Sequence, residues 1–201
     1  MIQEIQQSLE QAEFTQARQI AQGMLNDSAG DAERVYALLA LMQVDVYTDQ
    51  RREIDADLSQ LEVLRARSSQ TSDWSWQWYI QAWYTAPLVT DHPIDAHYLY
   101  HLCQKLQTAA ERQQCLIDAI RYGVNYDEYP FVYRLASEHN SDMYWLADTY
   151  YRGMFAALLA AFKREGSELA QELDGLRRAA GTPLKQFETE RIAEQYREII
   201  A

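Results

Sequence analysis

Two histidines four residues apart, His97 and His101 in 94-IDAHYLYHLCQ-104, have the spacing to do metal chemistry. Helix positions i and i+4 share a face, so both imidazoles can reach one ion. Zinc, however, takes three or four ligands and a dry second shell. The inward positions Ile94, Tyr98, Leu102 and Leu106 turn both histidines away from the core, beside Lys105. The expectation is a solvated pair, no metal and no cofactor. Asp91-His92 could serve as an acid or base, but it precedes Pro93 and suits a helix cap. No Ser or Cys nucleophile motif accompanies it. Glu53 and Asp57 also lie four apart, flanked by Arg51, Arg52 and Asp55, which predicts a solvated charged face. Cys103 and Cys115 have no CxxC spacing; Cys115 shares a stripe with Leu116, Ala119 and Ile120 and is expected to be an inert buried thiol. No Gly-rich phosphate loop is present. No catalytic residue is assigned, and an enzyme is not the expected class.

Charge narrows the partners. The formal net charge of the 201-residue chain is −12, and residues 1–100 carry 15 acids against 6 Lys/Arg, whereas residues 101–201 carry 15 against 12. Nucleic-acid phosphates require clustered cations, so DNA and RNA are excluded as expected partners. A basic protein would be steered first to the N-terminal half. The start, MIQEIQQSLEQAEF, is polar and acidic where a signal peptide is basic and then apolar, and the cysteines form no disulfide framework. The apolar run 154-MFAALLAAF-162 has nine residues, short of the roughly 20 that span a bilayer. A cytoplasmic protein without membrane contact is expected.

The elements that must position these residues are helices. Seven glycines and four prolines punctuate the whole chain, and apolar residues recur at spacings of three and four in nearly every window. Helices are expected over 2–12, 14–26, 31–48 and 51–67. In the second, Phe14, Ala17, Ile20, Ala21 and Met24 form the apolar stripe; in the third, Val35, Leu38, Leu39 and Met42; in the fourth, Ile54, Leu58, Leu61 and Leu64. The run 68-SSQTSD-73 reads as a loop with Ser72 as a cap. The proline-bearing 86-APLVTDHP-93 is the joint between an N-terminal half (1–86) and a C-terminal half (87–201), expected to pack as one continuous domain. Helices should follow at 93–107, 109–122, 129–138, 141–163, 167–179 and 183–200, the last opened by Thr182-Pro183.

The most unusual segment is 74-WSWQWYIQAWYT-85. As a strand it alternates well, but no other segment alternates to pair with it. As a helix, Trp76, Tyr79, Ile80 and Trp83 form one stripe, and Trp74, Trp78 and Ala82 form another on nearly the opposite side. The first enters the core. The second meets either a further helix layer or a partner, since Trp and Tyr dominate interface hot spots.

Two stretches resemble known helical repeats. Ala12, Phe14 and Ala17 in 12-AEFTQARQIAQGML-25 resemble the close-packing positions of a tetratricopeptide repeat. In 123–153, Gly123-Val124, Asp127, Tyr133, Ala136, Leu146-Ala147, Tyr150 and Gly153 resemble the related Sel-one-like repeat, although Pro130 interrupts it and Ala147 stands where that family carries glycine. The resemblance implies an α-solenoid that binds proteins and catalyses nothing. The expectation is therefore an all-α, solenoid or repeat-like array of about 9–11 antiparallel helices. Its expected function is that of a non-enzymatic adaptor or scaffold whose partner-binding residues are Trp74, Trp78, Tyr79 and Trp83. The alternatives are an acidic immunity or antitoxin-like protein that covers a basic enzyme, and a helical metal-dependent enzyme.

Overall fold

A computed structural model of the chain describes residues 1–27, 30–68, 108–114, 117 and 148–200, except for the side chains at 51, 52, 55, 62 and 65–68. The fold is all-α, and no strand occurs among the described residues. The chain divides into two compact units, Met1–Asp95 and Ala96–Ala201. The proline joint at 86–93 lies outside the described residues.

In the first unit, α1 is Ile2–Glu10, α2 Phe14–Asn26, α3 Asp31–Tyr47 and α4 Arg51–Ser68, close to the bounds that the periodicity predicts. Each helix packs on the next, and α1 also touches α3. The direction of the α2–α3 pair is set by its ends. Phe14, at the start of α2, stacks on Tyr47, at the end of α3, with ring centroids 5.1 Å apart, so the two helices run antiparallel. Ile5, Leu9, Ala17, Ala21 and Met24 form one cluster with Ala37, Ala40, Leu41 and Val44. The alanines along this seam let the backbones approach closely.

That cluster shows where the sequence reading of α3 is incomplete. Its expected inward stripe, Val35, Leu38, Leu39 and Met42, is buried, and so is the stripe on the other side. Every residue from Ala37 to Tyr47 is buried. A helix apolar all round needs cover all round. In α3, α1 and α2 provide it on one side, and the helix also packs on α4, whose Ile54, Leu58, Leu61 and Leu64 are buried as expected.

In the second unit, Thr108 opens a helical stretch at 109–114 with a reciprocal cap. Its hydroxyl accepts from Glu111 N at 3.1 Å, and the Glu111 carboxylate accepts from Thr108 N at 2.9 Å. Then come α5 (Thr149–Lys163), α6 (Gly166–Ala179), α7 (Pro183–Gln195) and α8 (Arg197–Ile200). Of the helix expected over 141–163, residues 141–147 lie outside the described residues and the described part is α5, which starts at Thr149. Asp148 is extended, and its carboxylate caps the helix by accepting from Tyr150 N at 2.9 Å. The helix expected over 183–200 is two helices, because the backbone breaks at buried Tyr196 and carries Ile199 against the start of α6. Thr182-Pro183 opens α7 as expected, with the Thr182 hydroxyl accepting from Lys185 N.

Tight turns end α1, α3 and α5 without glycine. Ala12 and Asp49 both sit at φ 57°, and Arg164 at φ 59°. In each turn the following amide reaches back five residues: Glu13 N to Ser8 O, Gln50 N to Asp45 O and Glu165 N to Ala160 O, at 2.8–2.9 Å. These bonds satisfy the last helical carbonyls and offset roughly 1 kcal/mol of left-handed strain at each site.

Two glycines in α6 give a paired test. A Cβ at Gly166 would collide with the carbonyl oxygen of Ile199, whereas a Cβ at Gly175 would meet nothing within 4 Å. Gly166→Ala should lose about 1–3 kcal/mol in chemical denaturation. Gly175→Ala should gain about 0.5–1 kcal/mol, because it only restricts the unfolded chain. Equal effects from the two would show that α8 does not pack against α6.

Candidate functional site

Every partner-binding residue expected from the sequence (Trp74, Trp78, Tyr79 and Trp83) lies outside the described residues, as do His97, His101, Asp91, His92, Cys103 and Cys115. Among the described residues, no group of three or more His, Cys, Asp or Glu is placed to hold a metal ion. The structure does bring together charged groups that spacing alone does not join.

The centre of that group is Asp45, the single charged residue in 35-VYALLALMQVDVY-47. Because α3 is enclosed on both sides there, the side chain has 0% exposure. Arg18 of α2, one residue past core Ala17, supplies the counter-charge, with Nη2 2.5 Å from Oδ1. The same guanidinium donates to the Thr48 hydroxyl at 3.2 Å, which in turn donates to Val44 O at 2.8 Å. Neither oxygen of the Asp45 carboxylate receives a well-aligned hydrogen bond, so the Arg18 contact is an ion pair only.

On α4, the charges of Glu53 and Asp57 act on this corner. Burial pushes the Asp45 carboxyl up to about 6 against the pull of Arg18, and Glu53 adds to the rise. Burial pushes Asp57 still higher, to about 7, with the charges of Asp45 and Glu53 adding to it and Arg18 opposing. The expectation of a solvated charged face therefore fails for Asp57, which is half-buried, while Glu53 is exposed. The i, i+4 spacing is silent about the third acid, which reaches the corner from a different helix. The side chains of Arg51, Arg52 and Asp55 lie outside the described residues. Among the described side chains, Arg18 opposes the rise at both Asp45 and Asp57, and these two carboxyls can take up a proton near neutral pH.

A second polar cluster joins α5 to α7. Lys185 Nζ pairs with Asp148 Oδ2 at 2.8 Å and lies 4.9 and 5.1 Å from the ring centres of Tyr150 and Tyr151. The Tyr150 hydroxyl donates to Lys185 O at 2.6 Å and lies 3.1 Å from Thr189 Oγ1. Burial alone would raise the Asp148 carboxyl, but hydrogen bonds from Lys185 and from the Tyr150 and Tyr151 amides outweigh it and lower it. Here the charges balance, so this cluster reads as a fastening. At the Asp45 corner burial instead raises two carboxyls, Asp45 and Asp57, and it is the stronger candidate site.

Both missed residues carried a sequence signal. A lone acid inside an apolar run needs a cation, and Arg18 is the single cation in α2, 14-FTQARQIAQGMLN-26. Comparisons of the chain with protein-family models, with curated proteins and with solved structures found no match.

Removing the cation tests the pair. Arg18→Met leaves Asp45 buried with no partner and should cost about 3–5 kcal/mol at about pH 8. The loss should be smaller at about pH 5, where Asp45 can be protonated at little cost. Urea denaturation at both values measures this, and a loss under about 1 kcal/mol at both would mean that the pair contributes no net stability.

Proposed function

We propose that the chain is a non-enzymatic protein–protein interaction module, a helical-repeat adaptor or scaffold that binds a segment of another protein. The observation that carries this reading is α3, buried on both sides between antiparallel α2 and α4. A helix apolar all round is what a layered array of hairpins uses in its interior. The second unit supports the same reading. Gly153, near the start of α5, lies against Leu176, near the end of α6, and Arg177 at the end of α6 pairs with Glu190 of α7. Each helix there also runs back along the one before. In such an array, the faces not covered by neighbouring helices are the natural places for a partner, and the tryptophan stripe of Trp74 and Trp78 is the proposed contact.

The runner-up, an acidic inhibitor that covers a basic enzyme, draws support from the charge of residues 1–100. A helical metal-dependent enzyme would rest on His97 and His101.

The test compares two tryptophans in the full chain. Trp78→Ala should leave the denaturation midpoint nearly unchanged and weaken retention of a captured partner by about 2 kcal/mol, roughly 30-fold. Trp83→Ala should cost about 3–5 kcal/mol of stability. If both variants destabilise equally, both stripes are core and the proposed contact is lost. A retained partner that is a strongly basic enzyme inhibited by the chain would favour the runner-up instead.

A further inference from the structure

Lys185 fastens α7 to α5, yet the groups around its ammonium are held by bonds in which that ammonium takes no part. We propose that Asp148, Tyr150 and Tyr151 form a binding niche for a primary ammonium group, filled at rest by Lys185 of the same chain and open to a lysine side chain or a free alkylamine that takes its place. Such a niche works independently of what the tryptophan stripe contacts.

Three walls meet around one charge. Lys185 Nζ lies 2.8 Å from Asp148 Oδ2, 4.9 Å from the centre of the Tyr150 ring and 5.1 Å from that of Tyr151. The two rings stand nearly edge-on, at 80° with centroids 5.2 Å apart, so they close the niche from two directions. Both ring distances fall within the roughly 6 Å over which an aromatic ring attracts a cation. The carboxylate decides which cation fits. Asp148 Oδ1 already accepts from Tyr150 N at 2.9 Å, which leaves Oδ2 to take the ligand. A single oxygen suits the compact ammonium, which donates through any of its hydrogens, better than the planar fork of a guanidinium, and it gives a quaternary ammonium no hydrogen bond.

The walls do not depend on the resident. The Tyr150 hydroxyl donates to Lys185 O at 2.6 Å, and the Thr189 hydroxyl donates to the same carbonyl at 2.8 Å. The Lys185 amide donates to the Thr182 hydroxyl at 3.3 Å. These contacts use the backbone of Lys185, so they persist when its side chain swings away, and the niche stays preorganised for a substitute. Tyr150 and Tyr151 are 1% and 7% exposed, whereas the side chains of Lys185 and Asp148 are 21% and 37% exposed. The rings therefore lie inside and the carboxylate at the mouth, where a partner's lysine would enter on the same four-carbon stem. A partly exposed ion pair holds its members weakly, so the resident yields to a competitor.

Chemical rescue in the full chain tests the niche. Lys185→Ala should lower the thermal midpoint by roughly 2–4 °C. Millimolar n-propylammonium should restore at least half of that loss and saturate, while equal sodium chloride or n-propanol restores none of it. The wild-type midpoint should not rise with the same amine, because its niche is filled. Rescue by acetyl-Gly-Lys-Gly-amide as well assigns the niche to a protein lysine, and rescue by the free amine alone assigns it to small amines. No rescue, equal rescue by the controls, or an equal rise in the wild-type chain would overturn the proposal. Should Lys185→Ala not fold, the wild-type chain decides, since Lys185 is one of three lysines and its methyl signals after reductive methylation with carbon-13 formaldehyde are readily assigned. Signals shifted upfield of those of exposed Lys163 by the two rings, and moved toward them by excess n-propylammonium, support the niche. Signals that coincide with those of Lys163 from the outset, or that do not move, overturn it.

Discussion

The first unit depends on burying one carboxylate inside a helix that has no face open to water. A charge at Asp45 is tolerable only beside another charge, and Arg18 can supply it only if α2 lies against α3 in one register and one direction. Phe14 on Tyr47 and Ala17 in the alanine-lined seam satisfy the same register. Apolar packing alone would leave this less determined, since stripes of alanine and leucine tolerate a shift of one turn. The ion pair does not tolerate it: a one-turn slip moves Arg18 by about 5.4 Å and leaves Asp45 alone. The apolar cluster and the ion pair thus call for the same register of α2 on α3.

The second unit fixes its helices with charges left at the edge. Lys185 is partly exposed, it faces one carboxylate and two tyrosine rings, and Asp148 also serves as the cap of α5. Arg177 forks onto Glu190 through two nitrogens at 2.8 and 3.2 Å, in a pair exposed enough to be worth little. Backbone contact carries more of the specificity. Gly166 admits the carbonyl of Ile199, and the break at Tyr196 places that carbonyl there. One unit is thus keyed by a buried charge and the other by a close backbone approach.

Much of this architecture could be read from spacing, because a 3.6-residue apolar period follows directly from helix geometry. The bounds of α1 to α4, α6 and the start of α7 come within about two residues, the stripe of α4 is buried as expected, and that of α2 is buried at Ala17, Ala21 and Met24 and partly buried at Phe14 and Ile20. Periodicity fails where a helix has no polar side: the spacing in α3 marks the stripe of Val35, Leu38, Leu39 and Met42, and the opposite side is buried as well. It also fails where an element ends for a reason other than glycine or proline, as at Asp148 and Tyr196. The site was less legible than the fold. Glu53 and Asp57 were visible as a spaced pair, but their neighbour Asp45 comes from another helix, and spacing within one helix carries no information about that. The tryptophan-rich segment, the most conspicuous feature of the sequence, lies outside the described residues.

The shortage of cations connects the corner to the charge of the whole N-terminal half. Residues 1–100 carry 6 Lys/Arg against 15 acids, and among the described side chains Arg18 is the cation that pairs with buried Asp45. Proton uptake, added salt and an approaching cationic surface all relieve the repulsion that adds to the rise of Asp45 and Asp57. Thermodynamic linkage then makes them competitors. A corner already protonated attracts a cation less strongly, and a corner already covered by a cation takes up fewer protons. A basic partner docking on this face would accordingly bind more tightly as pH rises from about 6 to about 8 and would restore the stability that ionisation removes, whereas a partner held by the tryptophan stripe alone would show no such dependence.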